Sequence, residues 1–518
     1  MDYQVGIVGA GFGGLVAALE LKRANRESFV VFERANELGG VWRDNIYPGC
    51  ACDIRSHFYY IAASPKADWT SNYATQPEIL DYLKDVARDH DLRRHIKFAW
   101  NVSELVFLER EGCWKVVNQT GESVRVGMVI LAAGPLNRPR IPTLPGLSGF
   151  KGTFCHSSAW DPSVELAGKR VAVVGTGASA IQIVPNVAPL VSSLAVFQRT
   201  PAWIVPRGAR PISGLERWLF TRLPFTRALV TSGIYWLMEV VALGFVGNRA
   251  MRTLLTGLAR RKIEKEVRDP ELRKKLTPGY QIGCKRILVS DDYYPAFNRD
   301  NVRLVTDDIR EVTPAGIRTV DGKTYEVDHI IFATGFVVAD PDNYIRVVGR
   351  GGRVLTEQWA DDGMQAYLGT TVAGYPNLAF LLGPNSGPAN SSAIHVIESQ
   401  IAYVMQYLGE LEKAGPHACL DVNPEVQASY NEELQQRLAH TVWNSGCNNW
   451  YLDRNGRNTT MYPGLTSRYR RLTAHLKLAD YAVIRSASAT RAAPGDTTAI
   501  ARAPRGALRA RTLSPRMD

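Results

Sequence analysis

The chain has 518 residues, 45% hydrophobic and 21% charged, a composition that excludes a disordered, collagen-like or coiled-coil protein. At about 150 residues per domain, the length predicts roughly three structural units. The formal charge of +11 raises nucleic acid or an anionic membrane as partners, but seven Arg from Arg485 onward, against Asp496 and Asp518, hold +5 of it. Residues 485–518 are rich in Ala, Pro, Ser and Thr and read as a disordered basic tail, so no nucleic-acid partner is expected.

The seven cysteines (50, 52, 113, 155, 284, 419, 447) are odd in number and scattered, which makes no disulfide framework. Cys50-Ala-Cys52 lacks the second pair a zinc site needs, and no metal is expected. No signal peptide precedes the first strand, so the expected setting is the reducing cytoplasm.

In chain order, the first element is an apolar strand, Val5 to Val8, that runs into Gly9-x-Gly11-x-x-Gly14 and a helical pattern (Leu15, Ala18, Leu19). Gly9 permits a tight turn, Gly11 lets backbone approach a pyrophosphate, and Gly14 lets helix pack on strand. The next strand, Ser28 to Phe32, ends at Glu33, placed to accept hydrogen bonds from ribose hydroxyls. A third apolar strand, Val129 to Leu131, ends in Ala132-Ala133-Gly134.

The glycine pattern recurs 166 residues later at Gly175, Gly177 and Ala180, after the strand Val171 to Val174. Adding 166 to Glu33 lands on Arg199, at the end of the strand Leu194 to Gln198. A carboxylate repels a ribose 2′-phosphate, whereas a guanidinium binds it with forked donors. The first site is therefore expected to take FAD or NAD and the second NADPH, a redox relay and not a simple dehydrogenase.

Residues 205–280 read as a helical insertion. Its run Ala228 to Gly247 is long enough to span a bilayer but carries Glu239 near the middle, a charge that costs roughly 2.5–3.5 kcal/mol on insertion scales. A soluble helical cover over the active site is expected, with loose membrane association open. The strand Ile330 to Phe332 then ends in Ala333-Thr334-Gly335, matching the end of the first unit. The fold class is α/β, with two Rossmann-like dinucleotide-binding domains, one inserted in the other. Residues 1–145 and 331–484 form the FAD domain, and 146–330 the NADPH domain.

Between the two glycine motifs, Phe150, Gly152, His156, Trp160 and Asp161 fill every fixed position of F-x-G-x-x-x-H-x-x-x-W-[P/D]. On these residues the chain resembles the Baeyer–Villiger monooxygenases, class B flavoproteins. Gly39, Gly40, Trp42, Tyr47, Pro48, Gly49 and Asp53 match a second pattern of that family, and the resemblance continues through Tyr73 to Glu78, Phe197 to Pro201, Gly283 to Arg286 and Asn449 to Tyr451.

The resemblance implies FAD, NADPH, O₂ and a small-molecule ketone, converted to an ester or lactone through a peroxyflavin. It implies that Arg286 is the active-site arginine and Asp53 the carboxylate that orients it. Lys285 and Arg199 would grip the NADP 2′-phosphate, and Trp42, Gln76 and Thr200 would contact the cofactors. Trp450 would line the substrate pocket, while His156 and Trp160 belong to the linker. The alternative is an N- or S-oxygenating flavin-containing monooxygenase, or an enzyme that mainly oxidises NADPH without coupling. Cys50 and Cys52 are expected to be packing residues.

Overall fold

The computed structural model describes residues 1–341 and 345–485. Arg485, placed at the start of the tail from sequence, closes a strand, Tyr481–Arg485, and the rest of that expectation lies outside the described residues.

The strand Tyr3–Val8 is buried from Val5 onward on both faces, as a central parallel strand requires. It pairs in parallel with Phe29–Phe32 on one side and Ser123–Leu131 on the other. The sheet runs Arg346–Val348, Val102–Leu108, Cys113–Asn118, Ser123–Leu131, Tyr3–Val8, Phe29–Phe32, Ile96–Lys97, with Leu378–Phe380 also paired to Ser123–Leu131. Helix Phe12–Arg23 leaves the glycine turn with Leu15, Ala18 and Leu19 buried, and its last turn carries Lys22 and Arg23 against the negative end of the helix dipole.

A second, fully parallel sheet has the order Val302–Val305, Ser193–Phe197, Arg170–Val174, His329–Phe332, Thr153–His156. All of its strands lie between the first sheet's Ser123–Leu131 and Arg346–Val348, so one dinucleotide fold is inserted in the other. The strand His329–Phe332 straddles position 330, where the sequence alone set the end of the inner unit, and pairs along its whole length within the inner sheet. The two connecting segments are joined to each other: Arg140 N–H donates to the Gly335 carbonyl at 2.9 Å and Val337 N–H to that of Arg138 at 3.0 Å. The Thr334 hydroxyl adds a bond to the Arg140 carbonyl.

Between the short parallel strands Ile204–Val205 and Leu288–Val289 stand four helices: Gly214–Arg222, Pro224–Ala242, Arg249–Glu266 and Pro270–Leu276. Ser213 and Glu216 form a reciprocal capping box that fixes the first helix start. Among the described residues no helix is long and apolar enough to cross a membrane. Glu239 is turned inward, where its carboxylate accepts the Thr466 and Ser467 N–H groups at 2.9 and 3.0 Å.

Candidate active site between two dinucleotide cradles

Both glycine loops have the geometry their pattern needs. Gly9 adopts φ +101°, and a Cβ there would lie 2.7 Å from the Ala132 carbonyl oxygen. A Cβ on Gly14 would lie 1.8 Å from the Gly9 oxygen, which excludes any side chain where helix crosses strand. Gly11 differs: its Cβ would meet only the Gly40 backbone, Cα at 3.6 Å and N at 3.9 Å, both ordinary contacts, so the space before it is free of crowding protein. The second loop repeats this, with a Cβ on Gly175 lying 2.4 Å from the Ala333 oxygen and one on Gly177 facing open space. Ala180, in the third position, is buried at the start of helix Ala180–Val187. Open second glycines beside a helix N-terminus fit a pyrophosphate in each loop.

Glu33 is buried at the end of its strand and accepts hydrogen bonds from Ala10 N–H (2.9 Å), Ala35 N–H (3.0 Å) and Arg43 Nη1 (2.8 Å). It therefore braces the glycine loop as well as presenting a carboxylate. Arg199 does not occupy the same slot, contrary to the expectation from the 166-residue offset. Val8 pairs with Phe32 in the first unit, and Val174 pairs with Phe197 in the second, so the residue equivalent to Glu33 is Gln198. The second connection is one residue shorter, and Arg199 stands one step past the slot, exposed. Gln198 is buried and donates to the Lys275 carbonyl at 2.7 Å.

Lys285 lies beside Arg199. Burial first, and that guanidinium second, push its pKa down, and its ammonium sits 5.3 Å over the Tyr280 ring. Arg199 has no ion-pair partner among the described residues. Two close cations without a carboxylate form a ready site for a phosphate dianion.

The turn at Tyr47 to Ala51 latches onto the second glycine helix. The Tyr47 hydroxyl donates to Gln182 Oε1 at 3.0 Å, and the Gln182 amide donates to the Ala51 carbonyl at 2.9 Å. This latch sets Asp53 at the boundary of the two units. There Arg286 Nη2 and Nε donate to Asp53 Oδ2, at 2.6 and 3.1 Å, while Nη1 has no hydrogen-bond partner among the described residues. The Asp53 charge, working against desolvation, raises the Arg286 pKa further. The Arg286 side chain is 47% exposed, next to the buried Tyr451.

Trp450 is 40% exposed, its ring centroid 4.5 Å from that of Tyr451. Just before it, the Asn449 amide donates to the Cys284 and Trp443 carbonyls. Cys284 and Cys447 form a single disulfide, a link that the scattered cysteine pattern, which makes no disulfide framework, did not point to. The bond ties the segment carrying Lys285 and Arg286 to the one carrying Trp450, across 163 positions. Cys50 and Cys52 are free and buried, and burial raises the Cys50 thiol to about 11.

The remaining expected residues lie around this centre. Trp42 packs against the cores of both units and donates to the Tyr59 hydroxyl at 3.1 Å; the Gln76 amide bonds the Trp42 carbonyl. The Thr200 carbonyl accepts the Thr176 hydroxyl at 2.8 Å, pinning the second glycine loop. His156 sits on the linkers: Nε2 donates to the Gly335 carbonyl at 3.0 Å and Nδ1 accepts from Ser158 N–H. Burial lowers its pKa, against the Gly335 hydrogen bond, and so favours the neutral ring. Trp160, half-buried, packs on the core of the inserted unit.

Residues 2–343 match the model of the flavin-binding monooxygenase-like family. A Baeyer–Villiger monooxygenase of Streptomyces coelicolor is 44% identical over 500 residues, which cover 96% of each chain. The chain belongs to the Baeyer–Villiger monooxygenases. Among solved structures, a cyclohexanone monooxygenase from Rhodococcus sp. Phi1 bound to NADP⁺ is 30% identical at TM-score 0.84, covering 93% of this chain and 99% of its own. The structure of OTEMO with FAD and NADP is 27% identical at TM-score 0.83, with the same coverage. This Baeyer–Villiger monooxygenase is thus an FAD- and NADPH-dependent enzyme for flavin-dependent oxygen insertion, acting on a small molecule.

Proposed function

We propose that this monooxygenase converts a ketone to an ester or lactone at the site formed by Asp53, Arg286 and Trp450. In the net reaction, ketone, O₂, NADPH and a proton give the ester or lactone, NADP⁺ and water. One oxygen atom enters the bond between the carbonyl carbon and its neighbour, and the other leaves as water. When bound, FAD supplies the redox chemistry that activates oxygen with the electrons of NADPH.

The protein's part is charge and position. As oxygen adds to the ketone, negative charge develops on the carbonyl oxygen, and a permanently protonated guanidinium stabilises it. Two of the Arg286 nitrogens face Asp53, which leaves Nη1 for the substrate side; this is the observation that carries the proposal. Trp450 with Tyr451 gives the pocket an aromatic wall. Gly9, Gly11, Gly14 and Glu33, with Trp42 and Gln76, hold FAD. Gly175, Gly177, Ala180 and Thr200 hold the NADPH pyrophosphate side, and Arg199 and Lys285 its 2′-phosphate. His156 is a positioning residue that fixes one linker on the other, and Trp160 seats that linker on the inner core. The partners are the ketone and O₂ and do not include nucleic acid, and the cytoplasm supplies the NADPH.

Arg286→Ala tests the proposal. The purified yellow variant is expected to bind FAD and oxidise NADPH while forming no ester; retained ester formation overturns the role. Oxygenated amine or sulfide as the sole product of the wild type would replace the ketone reading.

A further inference from the structure

The apolar run of the insertion is not used up by the fold. Among the described residues, twelve of the 23 exposed large hydrophobic side chains fall between positions 215 and 258. On helix Pro224–Ala242, Phe225, Leu229, Trp236 and Val240 recur at helical spacing and are 61, 67, 62 and 46% exposed. Leu215 and Trp218 lie exposed on the helix before, and Leu254 and Leu258 on the helix after.

Thr231 and Glu239 of the same helix point the other way, while Ser232 is exposed. Thr231 donates to the His57 carbonyl at 2.7 Å, and Glu239 is buried against the Thr466 and Ser467 N–H groups. The helix therefore seats Ile234 and Ala242 in the core and still presents a second apolar face outward, more apolar surface than a core-covering helix needs. A cluster of this kind on a soluble chain marks an interaction surface.

Charge decides the occupant. Between positions 211 and 263 the only carboxylates are Glu216 and Glu239. Glu216 is paired with Arg210 at 2.7 Å, and Glu239 is buried. Arg217, Arg222 and Arg249 are exposed and have no ion pair among the described residues. A second copy of the chain docked through this face would bring two sets of unpaired arginines together. An anionic bilayer instead offers acyl chains to the apolar stripe and phosphates to its arginine fringe, with Trp218 and Trp236 at the headgroup level, where tryptophan is favoured.

We propose that the 214–258 face docks in the plane of an anionic lipid surface, without crossing it. The inference is independent of the ketone chemistry, and its test does not read oxygenation.

The full-length holoprotein is floated with vesicles of phosphatidylcholine alone and of phosphatidylcholine mixed with phosphatidylglycerol. The expected result is at least about tenfold more protein on the anionic vesicles, falling as salt screens the arginines. Trp218→Ser with Trp236→Ser is expected to abolish flotation while the flavin spectrum stays unchanged, since both side chains are exposed. Arg217→Ala with Arg222→Ala should remove the preference for anionic lipid. Wild-type protein that stays in the aqueous fraction with both vesicles overturns the proposal. So does equal flotation of the double Trp variant, which would move binding to the arginine-rich tail. A dimer that the Trp substitutions dissociate, with no flotation, would assign the face to a second copy and overturn it as well.

Discussion

Arg286 places two N–H donors on a single oxygen of Asp53, across 233 positions of sequence. The carboxylate comes from a turn of the outer unit and the guanidinium from the segment after the helical insertion, so the pair forms only when the two units are docked. Asp53→Asn keeps the size of the side chain and removes its charge. Ester formation is expected to fall by one to two orders of magnitude while NADPH oxidation continues, because a loosened guanidinium no longer aims at the developing oxyanion. Product yield per NADPH consumed, measured by mass spectrometry, checks this.

Arg199 and Lys285 are expected to set the choice of NADPH over NADH. Alanine at either position should raise the KM for NADPH roughly tenfold or more with kcat little changed, since the phosphate is gripped equally in ground and transition states. Steady-state kinetics with both nucleotides gives the ratio. This pair also shows where sequence reasoning reaches its limit. The two glycine loops, their strands and the nesting are legible, because each depends on a local pattern. The equivalence of Arg199 with Glu33 is off by one, because a fixed offset cannot register the shorter connection that the strand pairing of Val174 with Phe197 exposes.

Gly11→Ala and Gly14→Ala are expected to fail differently. An added methyl at position 14 collides with backbone and should lower the melting temperature of the apoprotein, whereas at position 11 it meets only an ordinary contact. Gly11→Ala should leave apoprotein stability near wild type and weaken FAD binding. Thermal scans of the apoproteins with flavin titration separate the two.

The disulfide was invisible from composition, since its halves are 163 residues apart and five other cysteines stay free. Cys447→Ser is expected to cost about 2–4 kcal/mol, the usual worth of such a link. The variant and reductant-treated wild type should melt at the same lowered temperature. Alkylation before and after reduction, followed by peptide mass spectrometry, verifies the pairing.

Burial lowers the pKa of His57 and of His329 to about 4. Below the ordinary histidine value near 6.5, the unfolded chain takes up protons at both sites that the folded chain refuses. Stability is therefore complete above about pH 6.5 and declines as the pH falls toward 4. Melting temperatures should drop by several degrees over that window, and His57→Phe, which fills the same apolar niche against Phe220, should flatten the slope.

Glu239 shows the other way a local reading misleads. In sequence it is a charge that argues against a membrane span; in the fold it is an acceptor for two backbone N–H groups at positions 466 and 467. With the one carboxylate turned inward, nothing acidic interrupts the outward stripe of Phe225, Leu229, Trp236 and Val240.

The nesting of the sheets also dictates an order of assembly. Every strand of the inner sheet lies between residues 153 and 332, so that unit is complete as soon as this stretch leaves the ribosome. The outer sheet must wait for Arg346–Val348 and Leu378–Phe380, with its first six strands already made. During synthesis the inner sheet can therefore close while the outer sheet still has open edges.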